Sequence, residues 1–300
     1  KQVMEQLLAE LQQGTYVKPE KITLAEYLNE WLETACKPRL APKTIEGYKI
    51  CIERHITPAL GQIYLSELQP MHIQILYGDL LEKGLSKRTV ELVHTVLRAA
   101  LKQAVKWQMI SRNPADATEP PRPKRPEVRT LSPAELNRLL EEAQSSPIAD
   151  VILVAAYTGM RRGEVLALQW EDIDFVRRII YVQRNLVRVG GEFIVKPPKT
   201  QRGLRQVPVD DVVIERLAEL KEQATSKWVF SQADGSPLDP STVTHQFKRV
   251  AEQAGFPDLR FHDLRHTFAT ILLTQGIQAK VVQELLGHES ITTTIDTYTH

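Results

Sequence analysis

Phe261–His300, FHDLRHTFATILLTQGIQAKVVQELLGHESITTTIDTYTH, decides how the rest of the chain is read. His262-Asp263-Leu264-Arg265 opens an apolar-periodic run in which Phe268, Ile271, Leu272 and Ile277 are the expected buried positions. His262 and Arg265 are three residues apart and so share one helix face. A helix start also offers free N–H groups and a positive dipole end, which suits an anion such as phosphate. After a break at Gln275-Gly276, a second amphipathic piece (Val281, Val282, Leu285, Leu286) runs to Gly287-His288, where Gly is the expected helix terminator. Thr292-Thr293-Thr294 then leads to Tyr298. His262 and His266 have a spacing that can bind zinc, but no Cys or acidic third ligand accompanies them, so no metal is expected.

Singly, a His after Gly reads as a helix cap and a Tyr near a terminus as a packing residue. The ordered set His-x-x-Arg, Gly-His, Tyr is harder to obtain by accident. It resembles the C-terminal signature of the tyrosine recombinases, the phage-integrase family, and most of all the integrases of phages or integrative conjugative elements. The resemblance demands an Arg and a Lys upstream. Thr158-Gly159-Met160-Arg161-Arg162-Gly163-Glu164 matches the family's T-G-x-R-x-G-E pattern and makes Arg161 the active-site arginine. Arg162 is then a surface or DNA-backbone contact, and Glu164 a brace for the fold or for Arg161. Lys199-Thr200 followed by Arg205-Gln206-Val207-Pro208 matches the family's strand pair and selects Lys199 over Lys196.

Composition bounds the rest. Three hundred residues at 42% hydrophobic suffice for two domains, each with a core. The formal net charge is only +1, so any nucleic-acid-binding surface must be a local concentration of charge. No apolar run reaches the length of a membrane span, and the residues from Lys1 onward show no signal-peptide pattern. Cys36 and Cys51 are expected to be buried free thiols.

The N-terminal part reads as helical. Residues 1–21 look like a short helix and turn, a tail or the remnant of an upstream arm-binding region of the kind many phage and conjugative-element integrases carry. Over residues 22–115 Thr23 caps a helix with Leu24, Tyr27, Leu28, Trp31 and Leu32 on one face. A second begins near Thr44, a third spans about Pro70 to Leu81, and the longest starts at Ser86 and is expected to end at Asn113-Pro114. This four-helix region resembles the family's SAM-like core-binding domain. Its cations cluster at helix starts, with Lys37, Arg39 and Lys43 at one and Lys83, Lys87 and Arg88 at another. These are solvated helix ends or, as the resemblance implies, phosphate clamps, with Lys43, Lys87 and Arg88 the expected DNA contacts. Residues 116–130, DATEPPRPKRPEVRT, interleave four prolines with Arg122, Lys124, Arg125 and Arg129. That composition makes a stiff basic spacer, with Arg122, Lys124 and Arg125 available to a DNA backbone.

Residues 131–300 form the expected catalytic domain. Ser132-Pro133-Ala134-Glu135 is a capping box, and Ile148–Tyr157 is apolar enough to be central. Ile179–Val182, Phe193–Val195 and Arg205–Val209 suggest one three-stranded antiparallel sheet with a hairpin at Gly190-Gly191. Helices are expected at Val212–Gln223 and Pro240–Ala254. With the resemblance, the fold class is mainly α with a small antiparallel β-sheet: an N-terminal helical bundle plus an α+β tyrosine-recombinase catalytic domain.

The resemblance also implies a chemistry. Breaking a phosphodiester without metal or water needs a side-chain nucleophile, neutralisation of the phosphorane and a proton for the leaving 5′-oxygen. Tyr298 is the implied nucleophile, His262 its base, Arg161, Arg265 and His288 the donors to the non-bridging oxygens, and Lys199 the general acid. No cofactor is implied. The implied partners are double-stranded DNA attachment and core sites, a homo-tetramer with a dimer per site, and accessory directionality or host bending factors. Membrane association is not expected, and the implied location is the bacterial cytoplasm. Family members usually continue past the tyrosine with a segment that docks on a neighbouring subunit, whereas this sequence stops at His300. A type IB topoisomerase or a non-catalytic DNA-binding relative are the alternative readings.

Overall fold

Thr23 begins the first helix as its sequence predicts. Its hydroxyl accepts from the Glu26 N–H while the Glu26 carboxylate accepts from the Thr23 N–H at 2.8 Å. The helix, α1 (Leu24–Trp31), buries Leu24, Tyr27, Leu28 and Trp31. The computed structural model describes residues 21–123, 129–198 and 201–287. The chain divides into two compact units, residues 1–125 and 126–300.

In the first unit α1 runs on through a π-helical turn, Leu32–Cys36. It packs with α2 (Pro42–Cys51), α3 (Pro70–Glu82) and α4 (Lys87–Lys106) around one apolar core. Trp31 stacks on Tyr48 of α2 at 5.8 Å between ring centroids. Cys36 and Cys51 are buried free thiols, as expected. Ser86 caps α4, whose buried stripe is Val90, Val93, Val96, Leu97, Ala100, Leu101 and Ala104.

The end of α4 departs from expectation. The helix stops at Lys106 rather than at Asn113, which instead caps the short 3-10 turn Pro114–Ala117. Gln108 adopts φ +58°, Gln108 N–H bonds the Val105 carbonyl and Met109 N–H bonds the Ala104 carbonyl. This is a left-handed helix stop of the kind glycine usually supplies, so a search for Gly or Pro passes over it. Gln108→Gly is expected to raise unfolding free energy by about 1 kcal/mol, because a side chain in that conformation costs roughly 1–2 kcal/mol. Denaturant melts of the two chains check this.

In the second unit Ser132 and Glu135 form the predicted capping box at the head of α5 (Pro133–Ala143). The apolar α6 (Ala149–Thr158) is central, packed by α5, by α7 (Asp211–Glu222) and by α9 (Asp263–Thr274). Between them lie α8 (Pro240–Gln253), and α10 (Ala279–Leu286) follows α9. The strands form two sheets, not one. β1 (Ile173–Asp174), β2 (Ile179–Val182) and β5 (Arg205–Pro208) make an antiparallel sheet in the order β1-β2-β5, with Val182 opposite Arg205 and Ile180 opposite Val207. β3 (Asn185–Val189) and β4 (Glu192–Lys196) form a separate hairpin around Gly190-Gly191. The break falls at Arg184, whose guanidinium pairs with the buried carboxylate of Asp172 at 2.6 Å.

The inner face of α9 is also not the apolar one expected. Asp263, Leu264, Arg265, Thr267 and Ala269 are buried, Phe268, Ile271 and Leu272 are half-buried, and Ile277 is exposed. In α10 Gln283 is buried and Val281 exposed. Polar side chains that find hydrogen bonds inside displace apolar ones from the inner face, and periodicity of hydrophobic residues cannot register that exchange.

Candidate active site

Thr158 and Gly159 turn the end of α6 into a rigid mount. The Thr158 hydroxyl donates to the Val154 carbonyl and accepts from Met160 N–H, and Gly159 takes φ +60°. A Cβ at Gly159 would lie 2.4 Å from Phe268, so only glycine permits α9 to approach this closely. Arg161 follows in extended conformation and caps the one-turn helix Arg162–Val165. Its N–H and Nη1 both donate to the Glu164 carboxylate, at 2.9 and 2.7 Å. Glu164 therefore braces Arg161, as the sequence suggested. Arg162 is half-buried and donates to the Thr244 hydroxyl.

Arg265 sits in the first turn of α9 with its side chain buried. Its Nη1 donates to the Gly159 carbonyl at 2.8 Å and its Nη2 to the Leu286 carbonyl. Arg161 reaches the next carbonyl along, Nη2 to Gly287 at 3.4 Å. Two guanidinium groups from distant stretches thus meet where α6 and α10 end. The Arg161 side chain, 39% exposed, opens to solvent, while Arg265 is walled in. Gly287 ends α10 at φ +65°, and a Cβ there would come within 2.8 Å of the Arg202 carbonyl.

His262 stands immediately before α9 with much of its surface open. Desolvation by neighbouring groups, then the Arg265 charge, push its imidazole below the ordinary value, against a smaller upward pull from Asp263. It is therefore neutral at neutral pH, the form that accepts a proton. The His266 ring packs edge-on against it at 5.0 Å. Burial, then His262, push His266 down to about 4. Asp263, buried, is held by Arg260 through its N–H at 2.8 Å and Nη2 at 2.9 Å, which anchors the start of α9. Between the ordinary histidine value and about 4, the unfolded chain binds a proton at His266 that the folded chain does not, so stability falls as pH drops through that window. His266→Gln is expected to flatten this part of the pH–melting curve, which thermal melts at pH 7 and pH 5 measure.

Lys199, His288 and Tyr298 lie outside the described residues, as do Lys124 and Arg125. Of the remaining sites, Lys43, Lys87, Arg88 and Arg122 are exposed on the first unit. Lys43 pairs with Glu46 and Arg88 with Glu91. Among the described residues no group of three or more His, Cys, Asp or Glu could hold a metal ion. No described helix is long and apolar enough to cross a membrane.

One residue of the site escaped sequence reasoning. Arg205, on β5, is buried against Glu164, with Nη2 2.8 Å from the carboxylate. It had served only to mark a strand. The signal was available: Arg205 and Val207 are two apart, so a strand that buries Val207 turns Arg205 to the same inner face.

Residues 129–300 match the family model described as the phage integrase family, and residues 23–81 match its N-terminal SAM-like domain. The chain belongs to the phage integrase family. Among its relatives, a protein named tyrosine recombinase XerC-like from Caldanaerobacter subterraneus subsp. tengcongensis is 28% identical, over 99% of this chain and 84% of the relative. The integrase of Mycobacterium phage L5 is 32% identical, over 89% and 72%. The fold is that of the Tn1549 transposon integrase solved with a circular intermediate DNA, with a TM-score of 0.82, 23% identity and coverage of 93% of this chain and 95% of that one. It is also that of a lambda integrase tetramer bound to a Holliday junction, with a TM-score of 0.73, 24% identity and coverage of 96% and 83%. The phage integrase fold accounts for the mainly helical architecture with small antiparallel sheets seen here.

Proposed function

We propose that this chain is a site-specific tyrosine recombinase that cleaves and rejoins DNA strands through a 3′-phosphotyrosyl intermediate, integrating or excising a mobile element. The observation that carries this is the meeting of Arg161 and Arg265 at the carbonyls of Gly159, Leu286 and Gly287. Guanidinium forks suit the non-bridging oxygens of a phosphodiester, and here they are held by backbone groups of three separate segments.

The roles are those the family resemblance implies, and each meets a chemical need. The Tyr298 oxygen attacks phosphorus and forms the new P–O bond while the bond to the 5′-oxygen breaks. His262, kept neutral, takes the phenolic proton, and Lys199 delivers one to the departing 5′-oxygen. Arg161 and Arg265, with His288, hold the charge that builds on the phosphorane. Attack by the 5′-hydroxyl of a partner strand reverses the step. Each exchange swaps one phosphodiester-type bond for another, so no ATP is consumed and no cofactor is required.

Residues 22–115 serve as the core-binding domain, 116–130 as the linker and 131–300 as the catalytic domain, with 1–21 a tail ahead of them. Lys43, Lys87, Arg88, Arg122, Lys124 and Arg125 contact the DNA backbone. Lys43 and Arg88 exchange Glu46 and Glu91 for phosphate at small cost, since exposed ion pairs are worth roughly 0–1 kcal/mol. The working assembly is a homo-tetramer on DNA, a dimer per site, joined by directionality or host bending factors in the bacterial cytoplasm.

The test is a pooled library of duplexes, each nicked beside a candidate scissile phosphate so that cleavage traps the protein. A covalent adduct that maps to discrete sequences supports strand transfer. Mobility shifts without any adduct would leave only a DNA-binding protein.

A further inference from the structure

Glu164 places a single buried negative charge between two arginines. On one side its carboxylate accepts from the N–H and Nη1 of Arg161. On the other it accepts from Nη1 and Nη2 of Arg205, at 3.2 and 2.8 Å. The Arg205 side chain is only 5% exposed and is spent on protein groups, with Nε donating to the Leu285 carbonyl at 2.6 Å and Nη1 also to Gly203 at 3.2 Å. Four of its five N–H groups are engaged in this way. Arg161, by contrast, is open to solvent.

The charge count shows what Arg205 does. Arg161 and Glu164 alone form a neutral pair, and a neutral pair has little attraction for a phosphodiester. With Arg205 present the trio carries one net positive charge, and that surplus appears at Arg161, the member facing outward. We propose that Arg205 is a positioning residue for strand transfer: it supplies the countercharge of Glu164 and so leaves the Arg161 guanidinium positively charged toward the scissile phosphate. The inference rests on the reading of Arg161 as a phosphate ligand. Burial pushes the Glu164 carboxyl up, but the Arg205 hydrogen bonds and charge, joined by Arg161, outweigh it and hold the group below the usual carboxylate range. Glu164 is thus ionised, and the trio keeps its charge at working pH. Without Arg205 that carboxylate would draw Arg161 fully into a closed pair, because a buried charge cannot be left uncompensated.

The experiment is single-turnover cleavage of the nicked duplex on which the parent chain forms its adduct, with duplex affinity and thermal melts measured alongside. Arg205→Gln is expected to slow cleavage by roughly 10- to 100-fold while duplex affinity changes by less than about three-fold. Adding Glu164→Gln to it removes both buried charges and frees Arg161, so the double variant regains about five-fold or more of the lost rate. Arg205→Lys keeps the charge but not the two-pronged contact, so it is expected to be slower than the parent yet clearly faster than Arg205→Gln. A plain structural brace predicts the opposite for the double variant, which would then be no faster than Arg205→Gln. That result, full-rate cleavage by Arg205→Gln, or Arg205→Lys as slow as Arg205→Gln overturns the proposal. If Arg205→Gln melts below the assay temperature, the double variant and Arg205→Lys decide, since both keep the buried charge balanced. A parent chain that forms no adduct on any duplex overturns the strand-transfer reading itself, and this inference with it.

Discussion

Tyr298→Phe is expected to bind duplex DNA as tightly as the parent chain and to form no covalent adduct. The substitution removes one oxygen and keeps the ring, so contacts made by the aromatic face survive. The chemistry does not. The proposed reaction opens the phosphodiester with a side-chain nucleophile, and phenylalanine has none. Arg161 and Arg265, proposed to hold the phosphate, are tied to the backbone at Gly159, Leu286 and Gly287 and do not depend on the phenol. Adduct on a nicked duplex should therefore fall below detection, with the mobility shift unchanged within about two-fold. A phenol with a pKa near 10 is mostly protonated at neutral pH, so the parent reaction should also slow once His262 takes up a proton. Because His262 sits below the ordinary histidine value, that loss begins at a lower pH than for a free imidazole. Adduct formation by the Tyr298→Phe chain would move the nucleophile elsewhere.

Arg161→Lys is expected to cleave about 10²- to 10³-fold more slowly than the parent, the loss seen when one preorganised donor to a developing oxyanion is removed. Binding of duplex should change by no more than about three-fold, because the cation remains and many other phosphate contacts carry affinity. The asymmetry follows from what the guanidinium does. One nitrogen of Arg161 serves Glu164 and the other reaches Gly287, which leaves further N–H groups of the same rigid plane for a phosphate. A lysine has one ammonium, and the Glu164 carboxylate would capture it. Single-turnover rates compared with equilibrium binding separate the two effects. Equal losses in both would make Arg161 a simple binding cation.

Much of the site was legible because its residues stand in short, ordered motifs. Thr158–Glu164 announced a rigid turn after a buried helix, and the turn is there, with Gly159 at positive φ and Glu164 closing on Arg161. The capping boxes at Thr23 and Ser132 were readable because a cap is a contact between residues three apart. What failed was carried by no recognisable motif. The end of α4 rests on a glutamine in a left-handed conformation, held by Ala104 and Val105. The single sheet expected from Ile179–Val209 is two, parted at Arg184, which pairs with Asp172.

By itself the sequence determined the family and the helical character of the first unit, and it singled out Arg161 and Arg265, since each is carried by local spacing. Tertiary structure alone decided that α9 turns Asp263, Arg265 and Thr267 inward, that Arg265 joins the ends of α6 and α10, and that Glu164 is shared with Arg205 forty-one residues away. The physical reason is that a buried charge is stable only beside its partners. Which carbonyl or carboxylate becomes a partner is settled when the segments pack, not when they are written in order.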